Sequence, residues 1–125
     1  MQVLLGVDGT DGSLRALDQA AERAAEAGDE LTVGIAANPA AEAGFETGAD
    51  LEARVCEVTE RANVDTDFRR LDGDLGSELV ALADADDYDR LVVGGGERSP
   101  MGKIELGHDT QFVLLNARTS VTLVR

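Results

Sequence analysis

A chain of 125 residues makes one domain, residues 1–125, long enough to close a single hydrophobic core without staples. Twenty-five acidic residues against eleven basic ones give a formal charge of −14, a surface that repels nucleic acid and anionic membrane, where binding needs Lys and Arg to neutralise phosphates. Three Phe, one Tyr and no Trp leave few platforms for stacking bases, and Cys56, the lone cysteine, excludes an internal disulfide and a cysteine-based zinc cluster.

The elements follow in chain order. Val3 to Val7 reads as a strand buried on both faces, and Asp8, Gly9, Thr10, Asp11 and Gly12 supply the turn after it. Leu14, Leu17, Ala20, Ala21, Ala24 and Ala25 recur at helical spacing, with Thr10 or Asp11 as the cap and Gly28 as the stop. Residues 31–37 form the second strand, so the first 37 residues are a βαβ unit with a right-handed crossover. Residues 38–49 have loop chemistry and are long for a tightly packed domain. A helix over 50–61 is expected next, with Leu51, Val55, Val58 and Ala62 inward, then a weaker strand at 67–71 and a turn at Asp72, Gly73 and Asp74. A helix over 78–85 turns Leu79, Leu82 and Ala83 inward. Leu91, Val92 and Val93 then form a buried strand that runs straight into Gly94, Gly95 and Gly96. A helix over 107–115 and a strand over 120–124 close the chain. This order predicts a Rossmann-like α/β fold, a three-layer sandwich whose five-stranded, mainly parallel sheet has strand order 3-2-1-4-5 and helices on both faces.

In such a sheet, ligands bind beyond the carboxyl ends of strands, where strand order reverses. The loops after the first and fourth strands flank that point if the first strand is central, and their glycines favour that arrangement. Gly94, Gly95 and Gly96 let backbone approach a ligand closely, and the loop continues through Arg98, Ser99, Gly102 and Lys103 to Gly107. Backbone amides, a helix N-terminus and these side chains make a candidate phosphate cradle. Lys103, the only lysine in the chain, falls in this loop. The competing reading is a surface loop whose Arg98 and Lys103 pair with nearby acids.

Two stretches carry a family resemblance. Val7-Asp8-Gly9-Thr10-Asp11-Gly12-Ser13 resembles the first-strand signature of the universal stress protein family, and residues 89–125 resemble its carboxyl-terminal strand, glycine loop, helix and Val-rich strand. Leu71-Asp72-Gly73-Asp74 is similar to the turn after its third strand, so the resemblance spans the chain. In nucleotide-binding members the loop reads Gly-x-x-Gly, nine residues, then Gly and Ser or Thr. The resemblance implies that Gly94 and Gly107 are the first and last glycines, that Asp8 and Ala36 border the nucleoside, and that Val7 and Gly9 belong to the same cofactor site. Glu97 stands at the second glycine and His108 at the hydroxyl position, while Thr110 keeps a hydroxyl two residues on. His108 has two readings of equal weight, a phosphate donor or a simple capping or surface residue.

The implied function is an ATP-binding regulatory protein of the stress response, with AMP or ADP as alternative ligands and Mg²⁺ as a candidate companion ion. The alternative, favoured by Glu97 and His108, is a dimeric interaction module of the same fold that holds no nucleotide. A catalytic role is not expected beyond slow ATP hydrolysis. Adenylate-forming or nucleotidyl-transfer enzymes on related folds use a two-histidine signature or a Ser-Gly-Gly loop after the first strand, and the chain has one His and no such loop. The resemblance implies a homodimer joined through the strand at 120–124. The acidic, lysine-poor composition suits a halophile's salt-loaded cytoplasm, where at 1 M salt charges are screened within about 3 Å; an ordinary acidic protein has the same composition. With no basic leader and no apolar run near the roughly 20 residues of a membrane span, a cytoplasmic location is expected.

Overall fold

The protein is described by a computed structural model covering residues 1–40, 44–95, 97–98 and 104–125. Five strands form one parallel sheet: β1 (Gln2–Val7), β2 (Glu30–Ala36), β3 (Thr66–Leu71), β4 (Arg90–Gly94) and, last in the chain, β7 (Ser120–Val124). Their order across the sheet is β3-β2-β1-β4-β7, the 3-2-1-4-5 order expected from sequence. Helices α1 (Asp11–Ala27) and α2 (Gly48–Arg61) contribute to the core on one face. On the other face lie α3 (Leu75–Ala85) and α4 (His108–Asn116), which pack against each other.

Alternation along the strands builds two cores. In β1, Val3, Leu5 and Val7 point toward α1 and α2, whereas Leu4 belongs to the cluster under α3 and α4. Burying a Val or Leu side chain contributes roughly 1.5–3 kcal/mol, and the central strand carries four of these residues fully covered or nearly so. Small residues decide how closely the layers approach. Ala16, Ala20, Ala21 and Ala24 face inward on α1. On the opposite side of the sheet, Gly6 pairs in register with Gly34, and Leu79 of α3 settles over both.

Local chemistry explains the element ends, several of which differ from the expectation. Thr10, not Asp11, caps α1, its hydroxyl accepting from Ser13 N at 3.3 Å. Gly28 ends that helix in the left-handed region (φ 72°), with its N–H and that of Asp29 both donating to the Ala24 carbonyl. Helix α2 begins at Gly48, before the expected start, because Thr47 and Asp50 form a reciprocal capping box. Thr47→Ala is expected to lower stability by about 1 kcal/mol, read as a shifted urea midpoint with an unchanged slope. Helix α3 likewise starts early, at Leu75, since Asp74 accepts from both the backbone N–H and hydroxyl of Ser77. Val58 packs half-buried against the core as expected, Ala62 is only half-buried at the end of α2, and Thr59 is an unanticipated buried residue whose hydroxyl is satisfied by the Val55 and Cys56 carbonyls. The glycine loop holds one unexpected element: Glu97–Arg98 (β5) and Ile104–Glu105 (β6) pair as a short antiparallel ribbon. Among the described residues, no helix is long and apolar enough to cross a membrane.

Candidate functional site

The strand order reverses between β1 and β4, and the turns after these two strands meet there. Asp8 leaves β1 with its Oδ1 accepting from the Thr10 N–H at 2.9 Å and from the Thr10 hydroxyl at 2.7 Å. Gly9, at φ 94°, turns its N–H to the Ser13 hydroxyl at 3.1 Å, and Ser13 donates to the Thr10 carbonyl. The turn is thus held by its own short polar side chains, an arrangement that needs Asp, Thr and Ser at these spacings. The Asp8 carbonyl accepts from Ala40 N, which ties the start of the long 38–49 segment to the same rim.

Close backbone contact fixes the other half. A Cβ on Gly94 would run into the Gly12 carbonyl and Ser13 N, and a Cβ on Gly12 would lie 3.3 Å from Gly95 N. The end of β4 therefore touches the first turn of α1 backbone to backbone. Gly95 continues the sheet ladder by donating to the Val124 carbonyl at 3.0 Å. Thr110, buried in the first turn of α4, donates its hydroxyl proton to the Gly94 carbonyl at 2.8 Å. That hydroxyl clamps α4 to β4 and would have to leave this bond to donate to a phosphate.

Gly107, with no side chain of its own, caps α4, so among the described residues the first-turn N–H groups lack the capping side chain that the other three helices have. Such a helix start favours an anion. Beside it stand Asp74, His108 and Asp109. Asp109 Oδ1 accepts from Gly76 N at 3.1 Å, joining α4 to the start of α3. Burial pushes the Asp109 carboxyl up, and the charges of Asp74 and Asp8 push it the same way, against the Gly76 hydrogen bond and His108. Asp74, by contrast, is held below the usual carboxylate value, mainly by its two bonds from Ser77. His108 Nε2 lies 3.7 Å from Asp74 Oδ1 and is largely exposed.

A small pocket of about 20 Å³ opens where these parts meet, lined by Gly6, Asp8, Ser13, Leu75, Leu79, Val93, Gly94, Asp109 and Thr110. A nucleotide needs several hundred cubic ångströms, far more than this notch encloses. A groove of about 1000 Å³ lies at the opposite, amino end of the strands, but Asp29, Glu30, Asp65, Asp67 and Asp86 line it, which disfavours phosphate.

Of the residues singled out from sequence, the structure brings Asp8, Gly9, Gly94, Gly95, Gly107, His108 and Thr110 to one end of the sheet. Val7 and Ala36 reach the same end, but their side chains are buried in the two cores, leaving only backbone to border a ligand. Gly96, Ser99, Gly102 and Lys103 lie outside the described residues, and Arg98 is placed by its backbone in β5. Three residues here were missed from sequence. Ser13 is visible in retrospect as the third residue after Thr10. Asp74 is a D-x-x-S helix start. Asp109 has no local signature, because its partner Gly76 is 33 residues away.

The chain matches the model of the universal stress protein family over residues 1–125. Among solved structures it is similar to a universal stress protein in complex with cAMP, 26% identical with a TM-score of 0.72, over 100% of this chain and 97% of that one. A universal stress protein from Archaeoglobus fulgidus is 24% identical with a TM-score of 0.79, over 100% and 98% of the two chains. A universal stress protein from Archaeoglobus fulgidus in complex with dAMP is 20% identical with a TM-score of 0.73, over 100% and 98%. No curated protein matches in sequence.

Proposed function

This chain belongs to the universal stress protein family, and from that premise we propose that it is a regulatory protein of the stress response that binds an adenine nucleotide where β1 and β4 part. One observation carries the reading: the α4 start, without a capping side chain, faces the Asp8 turn across a glycine contact that brings backbone N–H groups to the site. The relative bound to cAMP supports the ligand class. In this reading Asp8 accepts from the nucleoside, and the N–H groups at His108, Asp109 and Thr110 with the loop from Gly94 to Lys103 hold phosphate. The nucleotide is ATP, with AMP or ADP as alternatives, and Mg²⁺ would offset the carboxylates near a triphosphate.

Calorimetric titration with ATP, AMP and cAMP, with and without Mg²⁺, tests it. Saturable binding of one nucleotide per chain is expected. Asp8→Asn keeps an acceptor for Thr10 but removes the charge that strengthens a hydrogen bond to the ligand, so affinity should fall by about tenfold. Nucleotide binding that ignores this change would remove Asp8 from the site, and no binding by the folded protein would overturn the proposal.

A second reading has its own support. Asp8, Asp74 and Asp109 crowd negative charge where a phosphate would sit, which suits an interaction module without nucleotide. Both readings share a homodimer, since β7 lies at the sheet edge and Val121, Thr122 and Leu123 are only partly buried. Both place the chain in the cytoplasm, and the acidic surface suits one rich in salt.

A further inference from the structure

We propose that Asp74, His108 and Asp109 form a site for one divalent transition-metal ion of the zinc and cobalt class, at the adjoining N-termini of α3 and α4. One imidazole nitrogen and one oxygen from each carboxylate lie within 4.8 Å of one another. His108 Nε2 and Asp74 Oδ1 are 3.7 Å apart, and tetrahedral bonds of about 2.0–2.1 Å require donors roughly 3.4 Å apart. For this pair the difference is a few tenths of an ångström, which a small rotation of the exposed His108 ring can close, and the Asp109 oxygen lies within 4.8 Å of both.

The carboxylates are already oriented. Asp74 Oδ2 accepts from Ser77 N at 3.1 Å and from the Ser77 hydroxyl at 2.6 Å, which turns Oδ1 toward the imidazole. Asp109 Oδ1 accepts from Gly76 N at 3.1 Å. Hydrogen bonds of this kind are the outer shell that aims metal ligands. The same bonds would exist if the acids were only helix caps, so the imidazole is what separates a metal site from a pair of caps. The two helix N-termini, about half a positive charge each, oppose a cation, but they offset only part of the two carboxylate charges and leave about one negative charge to attract it.

Ligand type sets the metal class. Mg²⁺ and Ca²⁺ favour all-oxygen shells, whereas a nitrogen with two carboxylate oxygens suits Zn²⁺ or Co²⁺ and leaves a fourth position open to water or an external ligand. This site stands whether or not a nucleotide binds, because its three ligands come from the chain itself.

The test is calorimetric titration of the full chain with Zn²⁺ in high salt, with Mg²⁺ as control, in a Cys56→Ser background that removes the only thiol. One equivalent of Zn²⁺ is expected, with Mg²⁺ at least tenfold weaker. His108→Ala and, separately, Asp74→Asn should each weaken Zn²⁺ by at least tenfold, and asparagine keeps the α3 cap, so folding is preserved. Co²⁺ should give the visible absorption of a four-coordinate site, lost in His108→Ala. Absence of saturable Zn²⁺ binding, or Zn²⁺ binding that His108→Ala leaves unchanged, would overturn the proposal.

Discussion

Gly94→Ala should lower stability by about 3 kcal/mol or more, the upper part of the range for over-packed interiors. The added methyl group has nowhere to go: it would run into the Gly12 carbonyl and approach Ser13 N at 2.7 Å, and both are backbone. Side chains can rotate away from such a contact, but the first turn of α1 can yield only by moving the helix. Reducing the entropy of the unfolded chain favours Ala over Gly by about 0.4–1 kcal/mol, too little to offset the clash. At roughly 4 °C per kcal/mol for a domain of this size, Tm should fall by about 12 °C. Gly95→Ala is the control. Its methyl group would meet the Thr110 side chain at 3.2–3.3 Å and Leu123 at 3.5 Å, contacts that relax by a few tenths of an ångström. It should cost under about 1 kcal/mol. Similar Tm values for Gly94→Ala and wild type would mean that the β4 end and the α1 start are not in backbone contact.

The second large effect is expected at Leu79. Its side chain is fully buried and fills the space that two facing glycines, Gly6 and Gly34, leave open on the sheet. Leu79→Ala should cost about 4 kcal/mol, near the top of the 2–5 kcal/mol range for such truncations, because neither glycine has a side chain to move into the void. Gly6→Ala alone is destabilising too, since its Cβ would overlap the Leu79 side chain. Combined, the two changes relieve each other. The double variant should be more stable than the sum of the single losses predicts, by about 1–3 kcal/mol. Urea denaturation of the four proteins gives the coupling directly. Additivity within about 0.5 kcal/mol would show that Leu79 does not rest on Gly6.

The order of elements was legible because each rests on local pattern. Uninterrupted apolar runs mark strands buried on both faces, and the Leu and Ala spacing from Leu14 to Ala25 marks an amphipathic helix. Helix starts were harder. Thr47 and Asp74 cap their helices through residues three positions on, and reading α2 and α3 from apolar spacing alone began them two and three residues late. The ribbon of Glu97–Arg98 with Ile104–Glu105 was not anticipated, since two-residue strands carry no periodicity.

By itself the sequence determined the element order, the parallel α/β architecture, and the two turns that carry Asp8 and Gly94, because these depend on near neighbours in the chain. Tertiary structure alone decided what those residues do. It made Gly94 a contact with Gly12 across 82 residues, set Leu79 over Gly6 and Gly34, and gathered Asp74, His108 and Asp109 at two helix ends. The physical reason is range. Hydrophobic period and capping act over three or four residues, whereas sterics and charge act through space, between segments that only the folded sheet brings together.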